Sequence, residues 1–398
     1  MTGTAELDAA IAGAHGELIA LRRELHQHPE LSRHEFGTTR KLAERLSALG
    51  LEVHVRPEGI GLYADLTPAG FSPATHRTVA VRADIDALPI VEATALPYAS
   101  QNVGVMHACG HDMHTACAMG VAVGLVQLRD QLPGRVRFFF QHSEEVAPGG
   151  ADELVAFGCM EGVDYVLGLH VDPVLEVGNI GIKDGPMTAS ADAFELVVRG
   201  RGGHAARPHH CVDPVFVATQ IATGLYQAAG RAFDARDPVV ISIASVVAGD
   251  GFNVIPDTAT LRGTVRTLSA DTRQEVVPLF RRLAAGVCGT YGAEYDLEMY
   301  LGAPSISNDA EVAAHMRAAA REVLGPESLY EIPLPSMGAE DFSYYLERAP
   351  GAMFRLGTKG HDGEEHFLHS PRFAPDERAL AIGSRILARA ALSLLSST

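Results

Sequence analysis

The segment MHACGHDMH, residues 106–114, places three histidines, a cysteine and an aspartate in nine positions. Neutral imidazole and thiolate are the side chains that best bind borderline cations. Cys109 and His111 stand two apart, a spacing that in an extended segment aims both the same way. A single buried histidine or cysteine is ordinary core; Cys-x-His-Asp-x-His at one junction points to a metal site. Further ligands must come from elsewhere in the chain.

The segment FQHSEEVAPGGADEL offers Glu144 and Glu145 directly after an apolar run containing Phe138, Phe139 and Phe140. Two adjacent carboxylates repel unless something positive lies between them. One can ligate a cation while the other holds a water as general base. His170 closes the apolar run DYVLGLH, and His366 and His369 lie in HFLHSPRF. GRGGHAARPHH, FNVIPD and GTVRT add His204, Asn253 and Arg266, which can polarise a carbonyl and clamp a carboxylate. SMGAEDFSYY carries an acidic pair that reads equally well as a helix N-cap.

These residues need a scaffold. The spacing predicts helices from about residue 7 to 28 and 36 to 49, and another over TACAMGVAVGLVQL. Strands are expected at TVAVRAD (78–84), RVRFFFQ (135–141) and DYVLGLH (164–170). Alternating strands and helices indicate a three-layer α/β catalytic domain. From about residue 190 the order becomes strand, helix, strand, strand, helix, strand, the split ferredoxin-like unit. The expected boundaries are 1–188 and 301–398 for the α/β domain, with 189–300 inserted.

The chain has 398 residues and a net charge of −17, from 32 basic and 49 acidic residues. That charge excludes nucleic acid and anionic membranes as general partners. The opening MTGTAELDAA lacks a signal-peptide pattern, and no run reaches the roughly 20 apolar residues of a membrane span. Five scattered cysteines suggest free thiols in a reducing cytoplasm.

Taken together, RADIDALP, MHACGHDMH, FQHSEEVAPGGA, GRGGHAARP, NVIPD, GTVRT, MGAEDFS and HSPRF resemble the dinuclear metal amidohydrolases. That family includes hippurate hydrolase, indole-acetyl-amino-acid hydrolases and bacterial N-acyl-amino-acid amidohydrolases. The resemblance spans nearly the whole chain, in order. It implies Cys109, His111, Glu145, His170 and His369 as ligands of two divalent cations, Mn²⁺ or Zn²⁺, with Co²⁺ or Ni²⁺ also compatible. It implies Glu144 as general base and His204 as a catalytic group reaching across a dimer. Asn253 and Arg266 would lie near the substrate, while Asp84 and Asp112 would orient ligands and His107 and His114 support them. The implied reaction is hydrolysis of N-acyl amino acids by a homodimer or dimer of dimers. A metallocarboxypeptidase or dipeptidase, a dedicated biosynthetic deacylase and a silent metal-binding protein are the alternatives. Relatives read Gln-Pro-Ala-Glu-Glu where this chain has His142-Ser143 before the acidic pair.

Overall fold

A computed structural model describes residues 2–360 and 366–397, which form two compact units. The larger comprises residues 1–185, 307–333 and 341–398; the smaller comprises 186–306 and 334–340. The short return 334–340 to the smaller unit carries no periodicity that a sequence reading could use.

The larger unit begins with helices α1 (Thr2–Gly13), α2 (His15–Gln27) and α3 (Phe36–Ala48). One helix was expected over 7–28, but the chain breaks at Ala14, because the apolar spacing runs on through the joint and hides it. Strands β1 (Glu52–Val55), β2 (Leu62–Leu66) and β3 (Thr78–Asp84) follow, then α4 (His111–Val126), β4 (Arg135–Gln141), α5 (Gly150–Ala156), β5 (Tyr165–Asp172) and β6 (Ile180–Ile182). The smaller unit supplies β7 (Asp192–Arg199), α6 (Pro214–Ala229), β8 (Val240–Val247), β9 (Thr258–Arg266), α7 (Ala270–Tyr291) and β10 (Glu294–Tyr300). The chain then returns with α8 (Ala310–Leu324), β11 (Leu329–Glu331), β12 (Gly351–Gly357) and α9 (Ala379–Ser396).

The large sheet runs β1-β2-β4-β3-β5-β12-β6-β11. Its centre is parallel: β3 pairs in parallel with β4 and β5, and β12 with β5. These strands are covered on both faces, which is why they are mostly apolar, with Arg82 and Arg137 as buried exceptions. Every residue of β3 is buried, as are all but the first of β4. Arg82 lies opposite Phe139 on one side and Gly168 on the other, so the carboxyl ends of β3, β4 and β5 come level.

Helix α4 is apolar all round because it is buried all round. Its glycines let neighbours approach. A Cβ at Gly120 would lie 2.9 Å from both Leu18 Cδ1 and Ser384 Cβ. Alanine normally favours a helix interior over glycine by about 1 kcal/mol. Here Gly120→Ala is expected to destabilise instead, by about 1–3 kcal/mol, read as a lower urea midpoint. Helix α9 passes for a membrane-crossing helix by length and composition, yet most of it is buried in this core.

In the smaller unit the strand order is β8-β9-β7-β10, all antiparallel, the arrangement expected of a ferredoxin-like unit. Burial alternates along β7, and Phe194, Leu196 and Val198 pack with Ile221, Leu225 and Phe280 of the two helices. Asp213 caps α6 by accepting from the Val215 and Phe216 amides, and Ser269 caps α7 at Thr272.

Candidate metal centre

In an open α/β sheet, functional groups gather at the carboxyl ends of the parallel strands. Asp84 ends β3, Glu144 and Glu145 follow β4, and His170 lies near the end of β5. His170 does not close its strand, which runs on to Asp172; its ring is buried within the sheet's end.

Cys109 and His111 are not in an extended segment. Gly110 between them adopts φ +85°, and His111 is already the first residue of α4. The left-handed glycine makes the turn into the helix, and a Cβ there would stand 2.5 Å from Val171 Cγ2.

The structure brings Cys109, His111 and His170 together, their ligand atoms within 4.8 Å of one another. Cys109 forms a second such set with Glu145 and His369, and His111 a third with Glu144 and Glu145. Cys109 Sγ lies 3.5 Å from His170 Nε2. Glu145 Oε1 is 3.4 Å from His369 Nε2 and 3.8 Å from His111 Nε2, with Glu144 Oε2 at 3.9 Å from the same nitrogen. His369 is half exposed, and its amide donates to the Ala108 carbonyl at 2.8 Å, which ties this late segment to the 106–114 loop.

The ring nitrogens are sorted by their partners. His111 Nδ1 faces the Asp86 carbonyl at 2.9 Å and Asp86 Oδ1 at 3.1 Å; both accept only, so Nδ1 carries a proton and Nε2 is the nitrogen turned to the cluster. His170 Nδ1 donates to the Val171 carbonyl at 2.8 Å, leaving Nε2 for the cluster. His111 Nε2 and Glu145 Oε1 are buried without a hydrogen-bond partner among the described residues. Burial pushes the Cys109 thiol up to about 12, so it becomes a thiolate only beside a positive charge. Two imidazole nitrogens, a thiol and a carboxylate converging in this way fit a borderline divalent cation.

The supporting residues differ from expectation. Asp84 bonds His114 Nδ1 at 2.6 Å and lies 3.7 Å from His111 Nε2, and His114 Nε2 accepts the Val171 amide at 3.0 Å. Among the described residues Asp112 bonds no ligand candidate. Its carboxylate meets His26 Nδ1 at 2.8 Å and Arg22 Nε at 2.8 Å, all three residues wholly buried. The residue that orients His111 is Asp86, two positions beyond Asp84 and so on the same face of an extended chain. His107 is buried with neither ring nitrogen bonded among the described residues.

At the short helix Ser343–Leu346 the N-cap position falls on Phe342, after the acidic pair of SMGAEDFSYY. Asp341 accepts from the Gln141 side-chain amide and from the Ala151 N–H in the first turn of α5. His142 is buried, with Nε2 2.7 Å from Arg56 Nη1, so the polar replacement before the acidic pair is accommodated by a charged partner.

His204, Asn253 and Arg266 all belong to the smaller unit. His204 pairs with Val254 in a two-residue ladder, and the Ala205 amide donates to the Asn253 carbonyl at 3.0 Å. His204 and Asn253 are exposed; Arg266 ends β9 opposite Val240.

Residues 80–393 match the family model described as peptidase family M20/M25/M40. The N-acetylcysteine deacetylase of Bacillus subtilis is 42% identical over 385 residues, 96% of this chain and 98% of its own. The N-acyl-L-amino acid amidohydrolase of Geobacillus stearothermophilus is 42% identical over 315 residues, 78% and 84% of the two chains. A crystal structure from Bacillus subtilis, described as a dinuclear metal binding peptidase from the M20 family, superposes with a TM-score of 0.84 at 38% identity, covering 97% of this chain and 100% of that one. By sequence and by fold alike, this chain belongs to peptidase family M20/M25/M40.

Proposed function

We propose that this hydrolase cleaves the amide bond of N-acyl amino acids, releasing a carboxylic acid and a free amino acid. The observation that carries the reading is the convergence of five ligand-type side chains with an adjacent carboxylate, Glu144, 11% exposed and turned to the same cluster. The deacetylase and amidohydrolase names of the relatives support the substrate class.

Cys109, His111, Glu145, His170 and His369 would hold two divalent cations, with Cys109 common to two of the ligand sets. The thiol favours zinc; the carboxylate and imidazoles also accept manganese, cobalt or nickel. When bound, such cations polarise a carbonyl and lower the pKa of water. Glu144 takes a proton from the attacking water as its oxygen bonds to the carbonyl carbon. It then delivers that proton to the leaving nitrogen as the C–N bond breaks. His204 stabilises the developing oxyanion, and Arg266 pairs with the carboxylate of the amino-acid half, with Asn253 beside it. The exposure of His204 on the smaller unit supports a homodimer in which it serves the partner's site. Five free cysteines support a reducing compartment, the cytoplasm.

The test is amine release from a panel of N-acyl amino acids and dipeptides by protein loaded with zinc or manganese. Release from the acyl amino acids is expected. Release mainly from dipeptides would move the assignment to a carboxypeptidase or dipeptidase. A full metal complement with no turnover of any substrate would mark a silent binding protein.

A further inference from the structure

Glu35 is wholly buried just before α3 and does not cap that helix. Glu30 does so in its place, accepting the Gly37 and Thr38 amides at 2.9 and 2.7 Å. The Glu35 carboxyl turns instead to the segment that carries the acidic pair. Its Oε1 accepts the Ser143 amide at 2.7 Å and faces the Ser143 hydroxyl at 3.2 Å; that hydroxyl also accepts the Arg33 amide at 2.9 Å.

Ser143 has φ +56°, the left-handed region, which costs a non-glycine residue roughly 1–2 kcal/mol. The conformation therefore needs outside support. Two residues on, the Glu145 amide donates to Asp86 Oδ2 at 3.0 Å, which also accepts the Ser32 hydroxyl at 2.7 Å. Glu144 thus stands between two backbone amides, each held by a buried carboxyl from a distant part of the chain. Asp86 is accounted for by His111. Glu35 has no such explanation.

A contribution to stability does not explain Glu35 either. A buried carboxyl is costly unless its oxygens are satisfied, and Oε2 has no hydrogen-bond partner among the described residues. Burial, then repulsion from Asp86, raises its pKa to about 7. What the carboxyl does accomplish is to hold the amide and hydroxyl of the left-handed residue beside Glu144.

We propose that Glu35 is a positioning residue for the hydrolysis, fixing the Ser143 turn and through it the place of Glu144. The inference rests on Glu144 acting as the base. Replacing Glu35 by alanine removes the anchor without touching any proposed ligand, whereas glutamine keeps an acceptor at Oε1.

The experiment compares Glu35→Ala, Glu35→Gln, Ser143→Ala and Glu144→Ala on one acyl amino acid, with metal content and thermal midpoint measured on each. Glu35→Ala is expected to lower kcat about 10–100-fold, with KM within about threefold and metal content unchanged. Glu35→Gln should restore most of kcat. Amide exchange over residues 143–145 should be faster in metal-free Glu35→Ala than in the metal-free parent. Ser143→Ala, which loses only the hydroxyl contacts, should lower kcat several-fold.

A parent-like kcat in Glu35→Ala beside an inactive Glu144→Ala would overturn the positioning role while leaving the base in place. Equal losses in the alanine and glutamine variants, together with lost metal or a lowered midpoint, would mark a merely structural residue. Turnover by Glu144→Ala at the parent rate would overturn the base and this inference together. Should Glu35→Ala fail to fold, an unchanged kcat in Ser143→Ala would overturn it instead.

Discussion

Glu144→Ala is expected to lower kcat by about 10²–10⁴-fold while the protein keeps its metal and its fold. The magnitude is that of removing a positioned proton acceptor from the reacting water. Metal should remain because the two sets that share Cys109 draw on His111, His170, Glu145 and His369 and do not include Glu144. Glu144→Gln separates the charge from the shape and should be nearly as slow, since an amide cannot take the proton. Steady-state kinetics with metal analysis on the same samples decides it. Parent-like turnover removes the base assignment, and loss of metal along with turnover makes Glu144 a ligand.

Arg22→Ala should be the most destabilising single change described here, by about 3–5 kcal/mol. Arg22, His26 and Asp112 are all wholly buried. The Arg22 Nε hydrogen is not aimed along the 2.8 Å line to Asp112, so this contact is an ion pair rather than a hydrogen bond. Burial works against the Asp112 charge, but Arg22 and His26 hold its carboxyl well below the usual range. Removing Arg22 takes the guanidinium from that anion in a low-dielectric interior and leaves it the His26 ring and the Met113 amide. Replacing Arg22 by Met together with Asp112 by Asn should recover part of the loss, because no uncompensated charge is left. Urea unfolding of the metal-free single and double variants measures both effects. A single-variant loss below about 1 kcal/mol would show that water reaches the pair.

What could be read from the chain alone follows physical lines. β3 and β4 were legible to the residue because strands covered on both faces carry dense apolar runs, VAV in β3 and FFF in β4, between polar ends. The order of elements in the smaller unit was legible because alternation of period two and period 3.6 survives in sequence. The break at Ala14 was not, since two helices packed on one core share a continuous apolar stripe. The left-handed Gly110 was invisible for a different reason: a glycine permits that conformation without requiring it.

The same division holds at the site. Cys109 and His111 stood out by residue type and spacing, and Glu145, His170 and His369 through the family resemblance; the structure gathers the five side chains into one cluster. Asp86 and Glu35 did not, because a buried carboxyl that holds a backbone amide has no signature of spacing. Asp112 misled because its neighbour in sequence is a ligand candidate while its neighbours in space are Arg22 and His26.

The position of β12 has a consequence for how the chain is made. β12 lies between β5 and β6 in the sheet, yet β5 leaves the ribosome about 180 residues earlier. At ~5–20 residues per second, β5 waits about 10–35 s with an unpaired edge. The strands of the smaller unit are synthesised within that interval, so its sheet can close while the larger one stands open. His369 emerges later still. A nascent chain therefore cannot hold the full ligand cluster before residue 369 has left the ribosome, and any ribosomal stall between residues 172 and 351 leaves a half-built sheet exposed to aggregation and proteolysis.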